Sequence, residues 1–391
     1  MQNKEVYDEL VSKFEQKYGK KPDIVAYAPG RIEVLGNHTD YNEGYVFSAA
    51  IDKGTFFAVS ASEDTSCELT AGDLMETAKF DISNVAPAKE MTWQNYVTGT
   101  FNWLFDGAPA KALKGWKGMF LGNIPLGAGL SSSAALEMCT VLALSKLYGV
   151  EKTKTEMAKI GQKAEHTFAG CPCGLLDQAS SMYGEEGSLV QSDFRTNEFK
   201  TVSMGPSVAF MMVKSNAKHA LVDGAYASRR QACEDAAKHF ADVLRGKKVT
   251  HLRDVTMAEW VLYRGGLDET KAKRAVHPIG EDERVVQGAG LLAKGDLAAF
   301  GALMYDSHES SRNWFENSCE ELDAIVDAAK AIPEVYGARL SGGGFGGSCC
   351  LLVDPSAADK IAAQITREYK AKFGDEPICS LIKPSKGAHL V

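Results

Sequence analysis

The chain has 391 residues, length for about two to three domains with cores of their own, so a peptide or a single small core is excluded. Apolar residues make up 45% and charged residues 24%, which sets aside disordered, collagenous and fibrous classes. With 51 acidic against 43 basic side chains and a net charge of −8, there is no bulk attraction for nucleic acid.

Taken in chain order, Val6, Leu10, Val11, Phe14 and Tyr18 recur at helical spacing up to Gly19, which predicts an opening surface helix, with no apolar leader before it. No apolar run reaches about 18 residues. The expectation is a cytoplasmic protein with neither a membrane nor a nucleic-acid partner. A short strand over 24–28 then runs into the polar segment 31–44, too polar toward its end for core. Residues 118–124 read as a strand, 125–129 as a tight loop, and 130–148 as a long helix closed by Gly149. A second helix is predicted over 157–168, strands near 188–190 and 209–213, and a charged helical block over 226–245. The final third reads as helices near 285–309 and 318–331, a glycine cluster at 342–347, a strand at 348–353, a helix near 356–373 and a strand near 378–383. This alternation predicts α+β layers in two domains, 1–200 and 201–391. The nine cysteines show no repeated CxxC pair and are expected to be structural thiols.

Three stretches carry chemistry. A glycine loop feeding a helix N-terminus aims free N–H groups and a partial positive charge at one point, which suits a phosphate. Residues 127–135 have that composition, and Ser131, Ser132 and Ser133 add hydroxyls that can cap the helix or reach a magnesium ion. The glycine cluster 342–347 contains G-x-G-x-x-G but precedes a strand instead of a helix, which argues against a dinucleotide fingerprint and for a turn that approaches a ligand closely. Asp177, in Gly174-Leu175-Leu176-Asp177-Gln178, and Glu165 stand as isolated acids.

Read together, these segments resemble the galactokinases of the GHMP small-molecule kinase superfamily, over essentially the whole chain. Pro29-Gly30-Arg31 through Gly36-Asn37-His38-Thr39-Asp40-Tyr41-Asn42 is similar to the family's sugar-binding signature. Residues 125–134 resemble its ATP phosphate loop, 342–347 its third glycine motif, and 164–170 with 174–178 the segment bearing its catalytic acid. The resemblance implies a ribosomal-S5-domain-2-like N-terminal domain and a ferredoxin-like C-terminal domain around an active-site cleft. It implies ATP and Mg2+, a monomer, and a small-molecule sugar phosphorylated at its C1 hydroxyl. It assigns catalysis to Arg31 and Asp177, sugar binding to Asn37, His38, Asp40, Gly174, Asp177 and Tyr226, and magnesium to Ser133 and Glu165. The nucleotide is assigned to Trp93, Gly127, Gly129, Leu130, Ser131, Ser132 and Ser133. Trp93 reads equally well as a core tryptophan.

The sequence also departs from the family. Glu33 and Asn37 stand where galactokinases usually carry Asn and Glu, and the usual Glu contacts the sugar's C6 hydroxyl. Losing that charged hydrogen bond would cost about 1.5–3 kcal/mol. An amide there would also tolerate a C6 carboxylate, so a C6-altered sugar such as galacturonic acid is an alternative substrate, unless Glu33 reaches the same pocket. A further alternative is a catalytically silent relative that binds sugar and ATP and signals to a protein.

Overall fold

A computed structural model describes residues 2–89, 93–107, 113–125, 129–205, 208–217 and 224–391. The chain divides into two compact units, each discontinuous in sequence: residues 1–31, 50–185 and 385–391 form the first, and 32–49 with 186–384 the second.

The first unit opens on helix Asn3–Tyr18, ended by Gly19 in the left-handed region. Val6, Leu10 and Phe14, one turn apart, are fully buried against Val25, Tyr27, Phe56, Ala58 and Met119. The strands beneath follow the order His389–Leu390, Ile24–Leu35, Tyr45–Ala61, Trp116–Gly122, Ser66–Ala71, Glu76–Asp81. Ser66–Ala71 runs parallel to Trp116–Gly122, with Glu68 opposite Lys117, and helix Gln94–Leu104 lies in the crossover that such a pairing needs. Helices Ser132–Tyr148, Lys154–Ala164 and Leu176–Tyr183 complete the unit. The first of these is apolar almost all round and accordingly buried from Ala134 to Val141.

The second unit contains a four-stranded antiparallel sheet in the order Ile378–Ile382, Ala209–Lys214, Ser348–Val353, Val335–Ser341. In order of appearance that is 4-1-3-2, the ferredoxin-like arrangement. Helices Glu320–Lys330 and Ala358–Phe373 cover it through Leu322, Ile325, Ile361 and Ile365 on Met211, Val213 and Leu351. A second core, with Phe240, Leu252, Trp260, Ile279 and Phe315, lies under helices Ala225–Val243 and Glu269–Ala293. The hairpin Ser188–Asp193 and Glu198–Ser203 pairs with the start of Tyr45–Ala61, Tyr45 opposite Asp193.

The fold is α+β, and two local expectations are corrected. The strand predicted over 24–28 runs on to Leu35, and the polar segment after it is buried: Glu33, Asn37, His38 and Thr39 are at most 6% exposed. Polar side chains survive there because each finds a partner. The helix predicted over 157–168 is α-helical only to Ala164 and passes into a π-helical turn, Glu165–Ala169. Among the described residues no helix is long and apolar enough to cross a membrane.

Candidate active site

The first unit brings Arg31 and Asp177 together, 146 positions apart in sequence. Arg31 Nε and Nη2 each lie 2.7 Å from Asp177 Oδ1, and Nη1 donates to the Gly129 carbonyl at 2.8 Å. Ser131 Oγ donates to the other carboxylate oxygen, Oδ2. Local sequence explains the approach. The strand carrying Arg31 passes so close to the loop that a Cβ on Gly30 would lie 2.4 Å from the Leu130 carbonyl oxygen, and Arg31 N bonds that same oxygen at 3.1 Å. Only glycine fits at position 30.

Ser131 sits at the N-cap of helix Ser132–Tyr148 with φ of 57°, the left-handed region, and its side chain makes no cap. For a residue with a Cβ that conformation costs about 1–2 kcal/mol. Here the hydroxyl is used on Asp177, which leaves the helix N-terminus open toward the same space. A cavity of about 300 Å³ is lined by Arg31, Gly129, Ser131, Ser132, Ser133 and Asp177 among others. The Asp177 side chain is 26% exposed and Arg31 11%, so a ligand can reach this pair. Gly127 lies outside the described residues.

Ser133 Oγ donates to Glu165 Oε1 at 3.1 Å, so a hydroxyl and a carboxylate oxygen converge beside the loop. These are the hard oxygen donors that magnesium prefers, with its remaining positions left to phosphate and water. Glu165 Oε2 is held by Gln178 Nε2 at 2.7 Å and by the Cys173 thiol at 3.0 Å. Gln178 Nε2 also donates to Glu137, 2.9 Å away and fully buried. Burial, then the neighbouring Glu165, push the Glu137 carboxyl well above its usual range. Burial and Glu165 also raise the Cys173 thiol. Gly174 is half-buried in the turn before helix Leu176–Tyr183.

Trp93 lines a second cavity of this unit, about 570 Å³, together with Leu74, Tyr96, Phe120, Ser132 and Ser133. Its ring meets Phe120 edge-on at 5.5 Å and its indole N–H donates to Glu76 at 3.1 Å. The size suits a nucleotide base, and the cavity reaches the serines of the loop.

Asn37, His38, Asp40 and Tyr226 belong to the second unit. His38 Nε2 faces the Gly343 carbonyl at 3.3 Å, which can only accept, so this nitrogen carries the proton and Nδ1 accepts from Tyr41 at 2.9 Å. Burial lowers the imidazole to about 4, so it is neutral at physiological pH. Its ring lies 4.5 Å from Phe315 and 5.3 Å from Tyr226, which is 44% exposed. Asp40 begins the short 3-10 turn Asp40–Asn42. Glu33 Oε1 accepts from Asn37 Nδ2 at 2.8 Å and from Arg339 Nη1 at 3.0 Å.

Several of these groups escaped the sequence reading. Glu137 has a signal, a lone acid in an otherwise apolar helix. Arg339, and Asn317, whose Nδ2 donates to Asn37 Oδ1 at 3.1 Å, have none, standing 306 and 280 positions from the residues they bond.

Comparison with known proteins identifies the family. Residues 12–61 match the galactokinase galactose-binding signature, 95–185 the N-terminal domain of GHMP kinases and 289–371 their C-terminal domain. The galactokinase of Pasteurella multocida is 39% identical over 364 residues, 92% of each chain, and that of Homo sapiens 36% identical over 91% of this chain and 90% of its own. The chain belongs to the galactokinase family. Its structure superimposes on a Lactococcus lactis galactokinase solved with galactose at a TM-score of 0.91, with 29% identity, covering 98% of this chain and 99% of that one. The Methanococcus jannaschii mevalonate kinase, 17% identical at a TM-score of 0.64, shares the GHMP fold. As a galactokinase-family member the chain is a sugar kinase, a phosphotransferase for which the family implies ATP as co-substrate.

Proposed function

We propose that this chain transfers the γ-phosphoryl group of ATP to the C1 hydroxyl of galactose, as a cytoplasmic monomer. The observation that carries the reading is the Arg31–Asp177 pair with the Ser131 hydroxyl, all lining one cavity with Ser133. The sugar oxygen forms the new bond to phosphorus, the bond to the ADP oxygen breaks, and the hydroxyl proton passes to the Asp177 carboxylate. The acceptor need not be a strong base, because the transition state is loose and orientation outweighs basicity. Arg31 neutralises charge on the pair and on the phosphoryl group. Ser131, Ser132 and the helix N-terminus, with the loop carrying Gly127, Gly129 and Leu130, receive the phosphates. Trp93 lines the base pocket.

Ser133 and Glu165 would hold a magnesium ion, which when bound neutralises phosphate charge. His38, Asp40, Gly174 and Tyr226 contribute sugar contacts. Galactose is favoured over a C6 carboxylate by one observation: Glu33 and Asn37 share a hydrogen bond beside Arg339. One acid, one amide and one guanidinium are all present, so the acid stands four positions earlier and is hydrogen-bonded to the amide that takes its usual place.

Initial rates with MgATP and galactose, galacturonate, 6-deoxygalactose, N-acetylgalactosamine and arabinose test the reading. Galactose is expected to give the highest kcat/KM. An absence of galactose-dependent ADP release would sink it, and would favour the silent sugar-binding relative.

A further inference from the structure

The polar residues around Asn37 form a connected hydrogen-bond network within the second unit. Both protons of the Asn37 amide are used: Nδ2 donates to Glu33 Oε1 and to the Gly342 carbonyl, each at 2.8 Å. Its carbonyl oxygen accepts from Asn317 Nδ2 at 3.1 Å, and that nitrogen also donates to the Gly343 carbonyl at 3.2 Å. The Asn317 backbone oxygen accepts from Phe345 N at 2.6 Å. Gly344, at φ of 82°, runs so close that a Cβ would lie 2.1 Å from that oxygen. Glu281 Oε2 accepts from the backbone N–H groups of Gly36 and Asn37 at 2.8 and 2.7 Å. Glu33 is 6% exposed, Asn37 1%, and Asn317 and Arg339 0%.

In such burial donors and acceptors must match one for one. A carboxylate at position 37 would face two acceptors, Glu33 Oε1 and the Gly342 oxygen, without a proton to offer. An amide at position 33 would leave the Arg339 guanidinium without its anion, and two of its nitrogens, Nε and Nη2, already have no hydrogen-bond partner. The residues at 33 and 37 are therefore fixed jointly.

We propose that Glu33 and Asn37 act as one interlocked acid–amide pair. Asn37 is a positioning residue that holds the 342–345 loop, and Glu33 is the buried anion that holds Asn37 and Arg339 in place. This rests on the galactose-kinase reading above.

Four proteins test the pair: the wild type, Glu33→Asn, Asn37→Glu and the double exchange, each assayed for kcat and KM with galactose and separately with ATP. Each single variant is expected to lose about 30-fold or more in kcat/KM for galactose, mainly through its KM, with the KM for ATP little changed. The double exchange is expected to return to within about 5-fold of wild type, the coupling that contacting residues show. A double exchange that loses the product of the two single losses overturns the interlock. If a single variant is insoluble, recovery of soluble protein in the double exchange is the readout, and its failure counts against the pair. Wild-type protein inactive on galactose would instead refute the underlying reading, before any variant is compared.

Discussion

Two arginine–carboxylate pairs begin two residues apart on the same strand, and they differ in what can reach them. Arg31 and Asp177 are 11% and 26% exposed and line a cavity, whereas Arg339 and Glu33 are 0% and 7% exposed and enclosed by amides and backbone carbonyls. The chemistry of the two pairs is nearly the same, and access separates their uses. A pair open to a ligand can lend its charge to a reacting group. A sealed pair has its charge cancelled in place and can only set geometry.

The largest expected effect tests the open pair. Asp177→Ala is expected to cut kcat by about 10²–10⁴-fold, the usual share of a positioned base, with the melting temperature nearly unchanged. Near-normal turnover would remove Asp177 from the reaction. The sealed pair should show the reverse emphasis. Arg339→Met, leaving Glu33 as an uncompensated buried charge, is expected to lose about 3–5 kcal/mol in urea unfolding. A loss no larger than that of Arg31→Met would erase the distinction drawn above. Next in size, Trp93→Ala is expected to raise the KM for ATP about tenfold while leaving that for galactose alone. Equal shifts in both would take Trp93 out of the base pocket.

A smaller effect concerns a third buried acid. Asp282 accepts from Tyr45 N at 2.6 Å, its other oxygen is unpartnered, and burial pushes its carboxyl up to about 7. The unfolded value is about 3.9, so the folded protein holds this proton more tightly. Its contribution to stability is full below about pH 4, declines as pH rises toward 7 and is level above. Asp282→Asn should therefore raise Tm at pH 8 by about 2–4 °C more than at pH 4. The same gain at both pH values would contradict it. The smallest effect is expected at Glu137. Because burial and Glu165 push its carboxyl well above the usual range, toward the neutral form that an amide mimics, Glu137→Gln should keep kcat/KM within about twofold, while Glu165→Gln raises the magnesium concentration needed for half-maximal rate.

Much of this was legible along the chain. Helix Asn3–Tyr18 follows from its apolar spacing and Gly19, and the strand, loop and helix around residues 118–148 follow from glycine and apolar runs. Strand Ser66–Ala71, placed by its pairing with Trp116–Gly122 farther along the chain, was not read, nor were its hairpin partner Glu76–Asp81 and helix Gln94–Leu104. The burial of 33–39 was misread for the same reason. A polar run looks solvated until its partners are known, and Arg339, Glu281 and Asn317 come from the other end of the chain.

By itself, then, the sequence determined the family, the α+β fold and the side chains available for chemistry, because glycine loops, caps and motif spacing act over a few residues. Tertiary structure alone decided which of those side chains face a cavity and which are cancelled in the interior. It also turned the exchange at 33 and 37 from a lost acid into a relocated one. The reason is that solvation and pairing of a charge depend on atoms hundreds of positions away, which no local pattern records.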